Sequence, residues 1–307
     1  MATVNTAWDH RTQNIFKTWL IMLFFSVFTV GVVYIFAQAL GYGEVGGLGL
    51  VGFALIMAGM MNFVSYFWSD KIVLGMSGAK PVSKETNPQL YRMVENLCLA
   101  AGLPLPKIYL MNEAAPNAFA TGRDPNHAAI AFTTGILEKL NKQELEGVTA
   151  HELSHVGNRD TLVMTVVSVL VGTIAILADF FMRSMWYGGN DRNNRGNALF
   201  MVLAIVSAIL APLAATLIQL SISRKRELLA DASGVLLTRY PAGLANALIK
   251  ISSDKSLLKA AHTGTAHMFI INPLKGKEMG GWLAGLFNTH PATEVRVKAL
   301  REMEGKV

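Results

Sequence analysis

The sequence predicts a mainly α-helical integral membrane protein with four transmembrane helices and one cytoplasmic α+β domain carrying a small β-sheet. Three observations carry that prediction. Of 307 residues, 52% are hydrophobic and only 16% charged, with a mean hydropathy of +0.37; soluble domains carry about 25% charged residues, so an ordinary water-soluble globule is excluded. The apolar excess is gathered into four charge-free stretches, Thr18–Gly43, Val45–Ser69, Thr161–Ala178 and Gly196–Ser223. The polar remainder forms two blocks, 70–160 and 224–307, in which helical and strand-like periodicities alternate. A bilayer core takes about 20 apolar residues at 1.5 Å each, so the first, second and fourth stretches are long enough and the third is marginal.

Residues 1–69 read as a two-span membrane hairpin. The first stretch outruns the roughly 7 to 15 residues of a signal-peptide core and ends in no small-residue cleavage pattern, so it reads as a retained anchor. Cations beside the spans set the orientation: Arg11 and Lys17 before the first, Lys71, Lys80 and Lys84 after the second, Arg159 before the third, and Arg224, Lys225 and Arg226 after the fourth. They place both termini and the 70–160 segment in the cytoplasm. The loop at 183–197, with Arg183, Arg192 and Arg195 against Asp191, runs against this rule, but four spans require both termini on one side.

Residues 70–160 form the first part of the cytoplasmic domain. A turn-rich linker from Pro81 to Pro88 leads into a helix over Gln89–Ala101, with Leu90, Met93, Val94, Leu97 and Cys98 on one face and Gly102 and Pro104 as stop signals. Three strand-like runs follow, Lys107–Met111, Asn117–Thr121 and Ala128–Thr133, separated by Pro116, Gly122 and Asp124-Pro125-Asn126. Helical character resumes over Lys142–Asn158. Residues 161–223 form the second membrane hairpin, and 224–307 the second cytoplasmic part. Cys98, the single cysteine, excludes an intramolecular disulfide and reads as a small buried hydrophobe. The net charge of +6 comes with no nucleic-acid-binding motif, and its cations sit beside apolar spans, so a nucleic-acid partner is not expected.

The chemistry begins at His151-Glu152-Leu153-Ser154-His155, an H-E-x-x-H pattern inside the Lys142–Asn158 helix. Residues four apart share a helix face, so both imidazoles reach one Zn2+ ion while Glu152 lies beside them, placed to act on water. A catalytic zinc needs a third protein ligand, and Glu227 in Arg226-Glu227-Leu228-Leu229-Ala230-Asp231 fits best. Asp231, one turn on, can accept the free N–H of a zinc-bound histidine. The competing reading makes Glu227 and Asp231 surface carboxylates paired with Arg224 and Arg226. Distances along the chain favour the metal: His155 lies six residues before Thr161 and Glu227 four after Ser223. Straight helices would then hold the two ligand sets about 9 Å and 6 Å beyond the same membrane face.

These residues resemble the HtpX heat-shock zinc metalloproteases of bacterial and archaeal membranes, relatives of the CAAX prenyl endoproteases. Beyond the His151–His155 motif, the resemblance covers Asn117–Gly122, Ser223–Asp231, and Thr289-His290-Pro291 followed by Glu294, Arg296 and Leu300. It implies a zincin-like (gluzincin) protease domain with one zinc per chain on His151, His155 and Glu227, and Glu152 as general base. It further implies a multi-pass inner-membrane endopeptidase of protein quality control and the stress response. Its partners would be the bilayer and protein substrates, mainly damaged membrane proteins, with cooperation from an ATP-dependent membrane protease.

An oxyanion also needs a donor, and His290, Arg224 and Arg226 are the candidates. Asn117–Thr121 and Ala128–Thr133 offer an edge strand for an extended substrate, with ordinary core strands as the alternative. His10, His127, His262 and His267 have no ligand spacing and read as solvated. A scaffold with structural zinc is disfavoured because such sites usually have four ligands, commonly with cysteine. A transporter is disfavoured because Asp179 is the one ionisable residue near a span interior.

Overall fold

The protein is described by a computed structural model covering residues 7–39, 44–187, 224–256, 258, 265–271 and 291–306. Two long helices open it, α1 (Ala7–Ala39) and α2 (Glu44–Met76). Their segments Arg11–Gly31 and Leu48–Met76 are long and apolar enough to cross a bilayer. Both turn large side chains outward, among them Leu20, Leu23, Phe53 and Ile56, an apolar surface that water does not favour.

The sheet follows in order β1 (Lys80–Pro81), β2 (Lys107–Met111), β3 (Ala118–Gly122) and β4 (Ala128–Thr133). Helix α3 (Pro88–Ala101) precedes β2; Asn87 caps it by accepting from Leu90 N, and Gly102 ends it at φ 64°. Its buried face is the expected one, Cys98 included. The strand order is β1-β2-β4-β3, with β2 and β4 parallel and the other pairs antiparallel. β3 is therefore an edge strand. The edge reading for Ala128–Thr133 is corrected: β4 is flanked on both sides, its side chains are all buried, and such unbroken burial marks a strand covered on both faces.

After a short helix α4 (Thr134–Lys139), α5 (Lys142–Gly157) carries the H-E-x-x-H motif. A reciprocal cap starts it: Asn141 Oδ1 accepts from Glu144 N and Glu144 Oε2 accepts from Asn141 N, both at 2.9 Å. The expected straight passage from α5 into the third apolar stretch does not occur. Asn158 and Arg159 break the helix, Arg159 at φ 58°, before α6 (Asp160–Tyr187) begins. The break turns Asp160 back toward His155, so the height estimate from a continuous helix falls with it. The apolar start of α6 is buried, Leu162, Val163, Val166, Val167 and Leu170 packing with Ile21, Met22 and Phe25 of α1. The fourth stretch, Gly196–Ser223, lies outside the described residues.

Among the described residues three further helices follow: α7 (Arg224–Thr238), α8 (Pro241–Ser253) and α9 (Thr293–Glu302). α5 meets α8 at Gly147, where an added Cβ would lie 2.7 Å from Leu244 N, and α7 at Gly234, where it would lie 3.0 Å from His151 N. These approaches let α7 lie flat on the motif helix and bring Glu227 beside it. Gly147→Ala gains about 1 kcal/mol of helix propensity but forces backbone apart, at a cost of about 1–3 kcal/mol. A lower thermal midpoint in detergent is expected; a midpoint at or above wild type would show the contact to be slack.

Candidate metal centre

α5 and α7 face each other across the cluster. His151 and His155, one turn apart, bring their Nε2 atoms to 3.2 Å. From α7, Glu227 sets Oε1 3.4 Å from His155 Nε2 and Oε2 3.8 Å from His151 Nε2. One donor atom from each residue falls within 4.8 Å of the others, so the three can hold a metal ion among them. All three are buried, which overturns the surface ion-pair reading of Glu227 and Asp231.

The outer nitrogen of each imidazole is held by a carboxylate. Asp231 Oδ1 lies 2.8 Å from His151 Nδ1, and Asp160 Oδ2 lies 2.9 Å from His155 Nδ1. Each pairing places the ring proton on Nδ1 and leaves Nε2 free to donate its lone pair inward. Both carboxylates are fixed in turn. Arg296 of α9 forks onto Asp231, Nε to Oδ2 at 2.8 Å and Nη2 to Oδ1 at 2.6 Å, with Nη1 3.7 Å from Glu227 Oε2. Arg226 Nη1 donates to Asp160 Oδ1 at 2.9 Å and to Asn14 Oδ1 at 2.8 Å. Asn14, on α1, donates through Nδ2 to Asp160 Oδ1 at 2.8 Å.

Burial dominates the electrostatics. It pushes the Glu152 carboxyl up to about 8, against the pull of His155 and with the help of Glu227. Burial alone would lower both histidines. For His151 it prevails over Asp231, aided by Arg296, whereas hydrogen bonds to Asp160 and Glu227 carry His155 well above its usual range. Asp231 is desolvated, yet Arg296 holds it down at about 2. The donor set fits a divalent cation: two imidazole Nε2 atoms, their Nδ1 sides held by carboxylates, face an oxygen of Glu227, the nitrogen and oxygen donors such an ion takes.

Glu152 also touches the sheet. Its Oε2 accepts from Ala120 N on the open side of β3 at 2.9 Å. The chain itself covers the next position: Ile270 N donates to Ala118 O at 3.0 Å, Asn117 Nδ2 to Ile271 O at 2.9 Å, and Arg296 Nη1 to Ile270 O at 3.0 Å.

Other expected site residues fall elsewhere. Arg226, a candidate oxyanion donor, is buried and donates through Nη1 to Asp160 and to Asn14. Arg224 is exposed at the start of α7. His290, His262 and the side chain of His10 lie outside what is described, and His127 is exposed beside Asp124. His267 is buried rather than solvated, its Nε2 3.2 Å from Met164 O, because the turn Ala266–Met268 packs on α6. Sequence reasoning missed Asp160 and Asn14 as site residues and saw Arg296 only within a motif. Asp160 had a visible signal, as the last charge before an apolar span.

An H-E-x-x-H helix with carboxylate-held imidazoles and a facing carboxylate is the layout of a metallopeptidase. The pattern described as Peptidase family M48 matches residues 84–304, and this chain belongs to that family. Curated relatives of nearly the same length are called Protease HtpX homolog. The protein from Caldanaerobacter subterraneus subsp. tengcongensis is 42% identical over 306 residues, 98% of this chain and 99% of its own. That from Pyrococcus furiosus is 46% identical over 290 residues, 94% and 95% of the two chains. Among solved structures, S. mikatae Ste24p matches 92% of this chain and 66% of its own at 17% identity and a TM-score of 0.48. The protein is thus a membrane-associated metalloprotease.

Asp160→Ala removes the carboxylate that orients His155 and is expected to weaken divalent-metal affinity about 10- to 100-fold. Competition against a chromophoric chelator measures this, and unchanged affinity would show His155 to be oriented by something else.

Proposed function

We propose that the protein is a zinc-dependent endopeptidase of the H-E-x-x-H plus Glu type, with His151, His155 and Glu227 as metal ligands and Glu152 as general base. The observation that carries this reading is the convergence of two Nε2 atoms and a Glu227 oxygen, each imidazole backed by its own carboxylate. Zinc, when bound there, supplies Lewis acidity toward the scissile carbonyl and makes water a nucleophile near neutral pH. The chain's own part is proton transfer. Glu152, held ionised by a cation bound beside it, takes a proton from the attacking water and passes it to the leaving amine. Asp231 and Asp160 hold the imidazoles in one tautomer, and Arg296 keeps Asp231 charged.

An extended substrate would pair with the β3 edge beside Glu152. Pairing there requires the chain's own Ile270 to release Ala118 O and Glu152 to release Ala120 N. The apolar helices favour a multi-pass protein with four spans, divided as 1–69, 70–160, 161–223 and 224–307, and with the site and both termini cytoplasmic. Asn14 of α1 bonds to Asp160 beside the cluster, which supports a site close to the membrane face. Folded soluble domains approach such a site poorly, whereas flexible segments enter it. The substrates proposed are therefore cytoplasmic loops and tails of membrane proteins, including damaged ones.

Two measurements test the roles. Glu152→Gln is expected to keep zinc at near one per chain and to abolish peptide hydrolysis; substantial turnover by the zinc-loaded variant removes Glu152 as the base. Glu227→Ala is expected to lose both zinc and activity, whereas Asp231→Ala keeps some of each at about 10- to 100-fold reduced affinity. Zinc held by Glu227→Ala as tightly as by wild type would assign the third ligand elsewhere.

Location is tested separately. Mass-spectrometric mapping of cuts on a multispanning substrate should place most of them in cytoplasmic loops and tails. A majority inside hydrophobic spans or on the external side would overturn the proposed orientation.

A further inference from the structure

Away from the metal cluster, a cavity of about 380 Å³ opens between the end of α2 and the turn that joins β3 to β4. Its volume lies within the roughly 300–1,000 Å³ usual for small-ligand sites. One wall is aromatic, Phe63, Phe67 and Trp68; the other is cationic, Lys71, Lys107 and Arg123.

The cavity's level in the chain is marked independently. The charge-free stretch of α2 ends at Ser69, next to the aromatic wall, and that of α1 begins at Thr18. Trp19 stacks on Tyr66 with ring centroids 5.9 Å apart, so the two helices set their aromatic residues side by side. Phe63 and Trp68 remain 53% and 43% exposed. Trp19 and Trp68 are exposed and Tyr66 half-buried where the two apolar helices meet their first charges, the residue types of the belt that sits among lipid headgroups.

The polar wall comes from the protease domain. Arg123 donates through Nη1 to Phe67 O at 3.2 Å and lies 5.3 Å over the Phe67 ring, fixing the β3–β4 turn to α2. Its charge is shared with Asp124 at 3.6 Å, which is also turned to His127. Lys71 and Lys107 have no acidic partner among the described residues. Asp70 is the single carboxylate in the lining, so positive charge is in excess.

We propose that this cavity binds the phosphodiester headgroup of an anionic lipid, with Lys71, Lys107 and Arg123 facing the phosphate and the aromatic wall carrying the start of the acyl chains. A soluble anion would use the cations but leave Phe63 and Trp68 in water; a zwitterionic lipid would bring its own cation against the lysines. The turn involved leaves β3 at Gly122, whose N donates to Thr165 Oγ1 of α6 at 3.3 Å, so lipid here would fix the strand beside Glu152 at membrane level. The inference rests on the reading that α1 and α2 cross the bilayer.

The test uses the full chain in nanodiscs of phosphatidylcholine with and without phosphatidylglycerol, followed by release into detergent and native mass spectrometry of retained lipid. Wild type is expected to retain one phosphatidylglycerol in preference to phosphatidylcholine. Each lysine near an anionic surface is worth roughly fivefold in affinity, so Lys71→Gln/Lys107→Gln should weaken retention about 25-fold. These side chains are exposed, and an unchanged thermal midpoint in phosphatidylcholine discs confirms the variant is folded. Lys84→Gln/Lys298→Gln, away from the cavity, should retain lipid like wild type. Equal retention of both lipids, or undiminished retention by the Lys71/Lys107 variant, overturns the proposal. Displacement of the lipid by millimolar inorganic phosphate also overturns it, in favour of a free-phosphate site. Failure of wild type to insert into either disc sinks the spanning reading and this inference together, whereas loss of lipid binding with insertion intact leaves that reading standing.

Discussion

Two buried carboxylate–imidazole pairs organise this molecule. Asp231 on His151 and Asp160 on His155 turn both rings so that their Nε2 atoms meet at 3.2 Å, facing Glu227. A buried carboxylate is costly unless compensated, and each has its own guanidinium, Arg296 or Arg226. The cluster therefore ties the consecutive helices α5 and α6 to α1, α7 and α9, which are distant in sequence. Truncating one partner would leave the other's charge buried and unpaired, a heavier loss than the deleted bond itself.

The same network joins the membrane part to the chemistry. Asn14 lies on the first apolar helix and bonds to the carboxylate that orients His155. The break at Asn158–Arg159 makes this possible, because a continuous helix would carry Asp160 round to another face. The break gives up regular helix hydrogen bonds at one turn and obtains a fixed imidazole in return. Small residues act in a comparable way: Gly147 and Gly234 bring α8 and α7 within backbone contact of the motif helix, which sets the depth at which Glu227 enters.

On the sheet side, β3 supplies one face of the site. Its inner edge pairs with β4, and its outer edge is shared between Glu152 at Ala120 and the chain's own Ile270 at Ala118. The general-base candidate and the outer edge of β3 are thus in direct contact. A carboxylate held on a backbone N–H is restrained in position, which serves proton transfer along a short path.

Much of this was legible in the sequence because it depends on local periodicity. Helix α3, strands β2 and β4 and the start of α5 fall at or within a residue of the limits their turns, caps and alternation predict. The His151–Glu152–His155 constellation is likewise local, since residues four apart share a helix face. Glu227 and Asp231 could be picked out because their own helical spacing put two carboxylates on one face. Tertiary structure decided what depends on a partner far along the chain. It made β4 an interior strand, since strand order follows from packing rather than alternation, and it set Arg226 on Asp160. It brought Asn14 and Arg296 onto the His151–His155–Glu227 cluster, and buried His267 against α6. A charged side chain in a sequence carries no mark of which charge it will face. Only the folded chain, where leaving such a group unpaired away from water is too costly, selects the partner.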